Sequence, residues 1–345
     1  MNSVALTGIA QMQIISEPDP LIQNEDDVLV RVSHMGVCGS DMHFFHTGRI
    51  GKTEVVYPCV LGHEGSGIVE EIGSGVKGLV KGQRIMIEPA MPCGKCDQCL
   101  ADRPHTCRNI IFLGQPGVLP GLLSEYIKMP QHCCFPLPIH MSNEHAVMAE
   151  PLSIAIWAAD LAPVQKGMNI GILGSGPIGM CVLLYCKYLG VHNIFVTDKL
   201  NYRLKMAEQS GAGWTGNPDS SDIVSGILDE APEGMDIVFD CCGMQEAMEQ
   251  AIQIMKPGGK IMIVGIPEFD NWSIPADAPR RYEIGFQNVR RQNNRLQTAI
   301  DLISEGKIDV STLITHRYPF LETSKAFNLV SNYGDGVMKT IIEFP

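Results

Sequence analysis

Residues 170–189 constrain this chain more than any other stretch. An apolar run, Ile170 to Leu173, leads into Gly174-Ser175-Gly176-Pro177-Ile178-Gly179, and Pro177 to Leu189 has helical apolar spacing. A strand, a glycine-rich turn and a helix in that order ask for neighbouring parallel strands. Such strands are read at Ile194 to Thr197, Ile237 to Asp240 and Lys260 to Val264, with helices at Tyr202 to Gln209 and Gln245 to Met255. Pro257-Gly258-Gly259 is expected to end the last helix and turn into the last strand. This succession predicts an α/β fold with a doubly wound parallel sheet and helices on both faces. Each part of the hexapeptide then has a task. Gly174 permits the tight turn, Gly176 lets the backbone approach a pyrophosphate, and Gly179 allows close helix–strand packing. The helix N-terminus, opened by Pro177, offers free N–H groups from Ile178 onward and a partial positive charge to the phosphates. Asp198 ends the next strand, 19 residues beyond Gly179, where a carboxylate accepts hydrogen bonds from adenosine ribose hydroxyls. The expected cofactor is therefore NAD in preference to NADP, with Lys199 and Arg203 softening the penalty that an NADP phosphate meets.

The first 150 residues have a different texture. Short alternating runs (Val28 to Val32, Ile68 to Ile72, Arg84 to Ile87) are separated by Gly, Pro and Asp, which predicts an irregular, β-rich domain. Within it Cys93, Cys96, Cys99 and Cys107 are spaced C-x2-C-x2-C-x7-C. Four thiolates in so short a span can wrap one tetrahedral ion, and a fully protein-filled coordination shell reads as a closed, structural zinc site. An iron–sulfur cluster uses similar ligands, but no second cluster or flavin partner is suggested. Two other segments hold metal-capable side chains: Cys38, in the turn Gly36-Val37-Cys38-Gly39-Ser40-Asp41, and His63 with Glu64, in Leu61-Gly62-His63-Glu64-Gly65. Each alone fits a core residue. Together they fit a catalytic zinc site with an open position. The last fifty residues, with a helix at Leu296 to Ser304 and strand-like ends, can return to complete the first domain.

Composition excludes several classes. With 345 residues the chain has room for two domains, and 45% apolar with 19% charged residues is not a disordered composition. A net charge of −12 argues against phosphate-backbone binding, so no nucleic-acid partner is expected. The uncharged run Asn169 to Cys186 is broken by Gly171, Gly174, Gly176, Pro177 and Gly179 and is not read as a membrane span. Met1-Asn2-Ser3-Val4 lacks the features of an export signal, which sets the expectation of a cytoplasmic protein with reduced thiols. Cys133-Cys134, Cys241-Cys242, Cys59, Cys181 and Cys186 are read mostly as core packing.

Gly62-His63-Glu64-Gly65 through Val69, the four-cysteine run and the fingerprint near residue 174 occur in the order found in zinc-containing medium-chain dehydrogenases, and the likeness covers essentially the whole chain. Cys38-Gly39-Ser40-Asp41-Met42-His43 with Gly48-Arg49-Ile50-Gly51, Glu150-Pro151-Leu152-Ser153 and Leu313-Ile314-Thr315-His316-Arg317 resemble the polyol branch, the sorbitol (L-iditol) and xylitol dehydrogenases. The resemblance implies a GroES-like catalytic domain over residues 1–153 and 295–345, interrupted by a Rossmann domain over 154–294. It implies two zinc ions per chain. Cys38, His63, Glu64 and Glu150 would serve the catalytic ion, with Glu64 a third or an exchanging ligand and Glu150 reaching the metal directly or through water. The second ion would sit among the four cysteines. Ser40 and His43 match the family's proton relay, which runs from the substrate hydroxyl through the cofactor ribose to the surface.

Arg291 matches a substrate-contacting arginine. Val289, Arg290 and Arg291 would pass near the nicotinamide, and Val264, Gly265 and Ile266 would line the same cofactor. Phe44 and Gln292 stand where the animal sorbitol enzymes have tyrosines, which removes hydrogen-bond partners for substrate hydroxyls. Those enzymes also lack the four-cysteine run. The implied reaction is reversible oxidation of a polyol secondary alcohol to a ketose, in a homo-oligomer (tetramer or dimer) with no membrane partner. Threonine, butanediol or a polyol phosphate are the rival substrates. The rival of another class is a non-catalytic zinc-binding structural or regulatory protein on the same fold.

Overall fold

The computed structural model describes residues 1–345. The chain divides into two compact units, Met1–Glu150 with Leu296–Pro345, and Pro151–Arg295. The first junction lies three residues before the expected one at Ser153, inside the helix Ala149–Leu161, between Glu150 and Pro151.

In the first unit the longest strand, Asp27–Gly36, is the hub of a seven-stranded sheet. It pairs antiparallel with Glu64–Ile72 on one side and with Lys339–Glu343 on the other, and Tyr126–Pro130 also pairs with it. Arg84–Ile87 and Cys134–Pro136 extend the sheet beyond Glu64–Ile72, and Ile314–Pro319 extends it beyond Lys339–Glu343. The C-terminal segment therefore does return to the first domain. Val28, Val30, Val32 and Met35 are fully buried and feed an apolar core with Phe45, Leu61, Leu122 and Phe327.

The second unit is a six-stranded parallel sheet. Its spatial order is Trp214–Gly216, Asn193–Thr197, Asn169–Leu173, Met235–Asp240, Met255–Ile263, Gly285–Asn288. In chain order that is 3-2-1-4-5-6, the dinucleotide-binding arrangement, whose ligand crevice lies at the carboxyl ends of the strands where the order reverses. The two edge strands were not expected, because three or four residues carry too little periodicity to read. The helix Gln245–Ile254 passes directly into the strand Met255–Ile263. Pro257-Gly258-Gly259 sits inside that strand as an irregularity: Met235 pairs with Met255 and Ile237 with Lys260, so the turn residues loop out of register. No helix is long and apolar enough to cross a membrane.

Candidate active site

Three strand ends build the first cluster. Gly36 closes the hub strand and lies opposite Glu64 on one neighbour and Ile341 on the other. Beyond Gly36 the chain turns through Val37 to Cys38, which precedes the helix Gly39–Thr47. One ligand atom each of Cys38, His63 and Glu64 lies within 4.8 Å of the other two. Zinc–ligand bonds of 2.0–2.3 Å in tetrahedral geometry put neighbouring donors roughly 3.5 Å apart, so a small inward shift of one sulfur, one nitrogen and one oxygen satisfies the ion. The residues fit a zinc centre.

The surroundings set the protonation of this donor set. Asp41 is 2% exposed; its Oδ2 accepts the Cys38 N–H at 3.1 Å, and its Oδ1 accepts the Gly62 N–H at 3.3 Å and lies 3.5 Å from His63 Nδ1. That contact turns Nδ1 toward the carboxylate and leaves Nε2 for a metal, the usual arrangement behind a ligating imidazole. Burial works against a charged His63 ring, but Asp41 and Cys38 together hold its pKa well above the ordinary histidine value. Burial and then the Glu64 charge push the Cys38 thiol up. Glu150 is buried but does not join the three-atom cluster; burial, then the charge of Glu64, pushes its carboxyl up to about 8. Ser40 Oγ stands 3.3 Å from Cys38 Sγ and 3.5 Å from His63 Nε2. His43 follows three residues later on the same helix and is half-buried.

Two neighbours of this cluster were not read from the sequence. The Phe112 ring packs 5.3 Å from the His63 ring, centroid to centroid, as an apolar wall. Lys339 is 1% exposed, and its Nζ donates to Glu64 Oε2 at 2.6 Å and to Val37 O at 3.2 Å. A lone cation in the apolar run Val337-Met338-Lys339-Thr340-Ile341-Ile342 was the available signal, since a buried lysine needs a paired anion. Phe44, expected at the substrate, is 9% exposed and belongs to the apolar core. Gln292 spends its Oε1 on the Arg295 N–H at 2.5 Å.

The four cysteines form a separate group. Cys96 Sγ lies 3.6 Å from Cys99 Sγ and 3.8 Å from Cys107 Sγ. A zinc tetrathiolate with bonds of about 2.3 Å has edges of about 3.8 Å, so the sulfurs already stand at ion-holding distance. The Lys95 backbone N–H lowers the Cys93 thiol to about 6, whereas desolvation and the neighbouring thiols raise Cys99 to about 12. Arg108 pairs with Asp97 at 2.5 Å beside them.

In the second unit the fingerprint has the geometry its glycines imply. Gly174 has φ +97°, and a Cβ there would lie 2.9 Å from Cys242 Cβ; a Cβ on Gly179 would lie 2.0 Å from Gly174 O. Gly176 caps the helix Pro177–Tyr188, with Pro177 in its first turn and Ile178 following. Asp198 Oδ2 accepts the Ser175 N–H at 2.8 Å and Oδ1 the Leu200 N–H at 2.9 Å, so the carboxylate braces the turn and keeps acceptor capacity for a ribose. Arg203 Nη1 lies 3.9 Å from Asp198. Val264 and Gly265 donate to Asp240 O at 2.9 and 2.8 Å at the carboxyl end of their strand, and Ile266 beyond them is exposed. The Val289 N–H donates to Ile263 O at 2.9 Å, burial lowers the Arg290 guanidinium pKa, and Arg291 adopts φ +52°. All twelve cysteines are free; Cys59, Cys133, Cys134, Cys181 and Cys186 are buried as expected, but Cys242 is exposed and its thiol donates to Asp240.

Known proteins place this geometry. Residues 24–139 match the alcohol dehydrogenase GroES-like domain family, and residues 177–305 the zinc-binding dehydrogenase family. The chain is 35% identical over 318 residues to the L-idonate 5-dehydrogenase of Vitis vinifera, covering 90% of this chain and 86% of that protein. It is 32% identical over 345 residues to the sorbitol dehydrogenase of Bacillus subtilis, covering 99% and 97%. A solved oxidoreductase/dehydrogenase of unknown specificity from Escherichia coli superposes with a TM-score of 0.92 at 34% identity, covering 100% of this chain and 99% of that one. This chain belongs to the zinc-containing medium-chain dehydrogenases, in their polyol dehydrogenase branch.

Proposed function

We propose that this protein catalyses the reversible, NAD-linked oxidation of a polyol secondary alcohol to a ketose at the Cys38–His63–Glu64 centre. The observation that carries the reading is the joining of one sulfur, one nitrogen and one oxygen donor within 4.8 Å, with the Ser40 hydroxyl beside them. A zinc ion held there supplies the acidity that makes a neutral alcohol an effective hydride donor, and a bound nicotinamide supplies the acceptor. Cys38 and His63 hold the ion, and Glu64 and Glu150 are the carboxylates that complete or exchange at the open position. Asp41 orients His63 and keeps Nε2 facing inward. Ser40 takes the hydroxyl proton of the substrate, and His43, one helical turn on, delivers it to solvent. Phe112 excludes water on one side of His63.

The finer assignments are part of the same proposal. A second zinc sits in the four-cysteine lobe as a structural ion. Asp198 selects NAD over NADP, since a carboxylate 4 Å from a phosphate charge costs roughly 4 kcal/mol at an effective dielectric of 20. Arg291 contacts substrate, and Val264, Gly265, Ile266, Val289 and Arg290 contact the coenzyme. The working form is a homo-oligomer. An NAD-coupled screen of sorbitol, xylitol, iditol, galactitol and threitol beside threonine, butanediol and a polyol phosphate tests the reading. Turnover of one or more polyols is expected to dominate. Turnover confined to threonine or butanediol moves the enzyme to a neighbouring branch, and none with any alcohol leaves a zinc-binding scaffold.

A further inference from the structure

Glu64 and Lys339 lie in contact with both side chains 1% exposed, and nothing in the polyol chemistry above requires a cation there. The pair is built by the sheet. Gly36 pairs with Glu64 on one side and Ile341 on the other, so the lysine two residues before Ile341 faces the glutamate across the end of the hub strand. Gly36 makes the reach possible: a Cβ there would lie 2.5 Å from Glu64 Oε2. Lys339 Nζ is held from the other side by Val37 O, one residue before Cys38.

The geometry points to Lys339 as a positioning residue that holds Glu64 Oε2 and so limits how firmly the Glu64 carboxylate can close on a metal held by Cys38 and His63. The inference rests on the zinc reading of that centre. With the lysine present, one carboxylate oxygen is already engaged by a cation, and the ion competes for what remains. Without it, the buried Glu64 loses the cation in direct contact with its Oε2 until metal is bound, so the metal-free state is penalised more than the metal-bound state. Lys339 thereby keeps the open position exchangeable.

Zinc release to a chelator in excess tests this, in the kinetic phase that Cys38→Ser abolishes. Lys339→Met is expected to slow that phase at least tenfold and to lower the melting temperature of metal-free protein more than that of zinc-loaded protein. Lys339→Arg restores the wild-type rate. A merely structural lysine would lower both melting temperatures alike and leave release unchanged, which overturns the proposal, as does faster release. If Lys339→Met does not fold alone, Glu64→Gln and the double variant K339M/E64Q are compared. Their release rates are expected to agree within threefold, and a tenfold difference overturns the idea that Lys339 acts through Glu64. Wild-type protein that holds no zinc in the Cys38-dependent phase overturns both the proposal and the zinc reading beneath it.

Discussion

The two sulfur-containing centres are built in opposite ways. The four-cysteine lobe takes every donor from one short loop, Cys93 to Cys107, and three of its four cysteines are partly exposed. The Cys38 centre takes its donors from a helix start and a neighbouring strand end, its counter-ion from residue 339, and buries His63, Glu64 and Lys339 to 7%, 1% and 1% exposure. A loop with four converging thiols and little apolar surface needs an ion to be a loop of fixed shape. A site at the meeting of three strands is already shaped by the sheet, and its donors are free to leave a position open. On the proposed reading, metal shapes the first centre and the fold shapes the second.

The comparison is broken most severely if the two centres respond alike to loss of a ligand. Cys38→Ser or His63→Ala is expected to reduce NAD-linked turnover at least about a thousandfold, ~4 kcal/mol of barrier. NADH binding, read by fluorescence titration, should stay near wild type in both. Cys96→Ser should do the reverse. Because zinc affinity in such a lobe is folding free energy, it is expected to cost at least about 3 kcal/mol in denaturant unfolding. Turnover per folded molecule should persist, and loss of chemistry in fully folded Cys96→Ser would show that the roles are exchanged.

A smaller effect comes from a carboxylate outside both centres, which calibrates what hydrogen bonding to a carboxylate contributes in the same sheet. Asp27 accepts the Gln23 and Asn24 N–H groups at 2.9 and 2.8 Å and lies 3.3 Å from Lys128 Nζ. Burial opposes its ionisation, but these hydrogen bonds bring its pKa to about 2 from the ordinary 3.8. A depressed folded-state pKa stabilises above the unfolded value, and that contribution fades as pH falls from about 4 through about 2. Asp27→Asn is expected to cost about 2 kcal/mol at pH 7 and almost nothing near pH 2, measured by denaturant titration at each pH. A separate effect, on coenzyme choice and not on stability or chemistry, belongs to Asp198. Asp198→Ala should narrow the NAD over NADP preference in kcat/KM without touching metal content at either centre.

The same contrast explains what could be read in advance. The lobe was legible because its spacing is local, and the fingerprint because strand, glycine turn and helix are contiguous. Cys38 and His63 were legible as motifs, and the return of the C-terminal strands was foreseen as an option. Lys339 was not, because its pairing with Glu64 spans 275 positions and depends on the register of two strands about Gly36. Phe112 carried no signal beyond an apolar stretch after the cysteines. Phe44 and Gln292 are read at the substrate from their place in a motif alone; Phe44 packs in the apolar core, and Gln292 Oε1 accepts a local backbone N–H. Direction is set by packing, which a linear pattern does not encode.

The central claim is that chemistry belongs to the fold-shaped centre and not to the lobe. Zinc content and NAD-linked polyol turnover, followed together while a chelator strips the protein, test it most directly. Turnover should fall in proportion to the zinc lost in the Cys38-dependent phase, with the lobe's ion still bound when activity is gone. Protein emptied of that zinc and still oxidising polyols at its original rate would contradict the account.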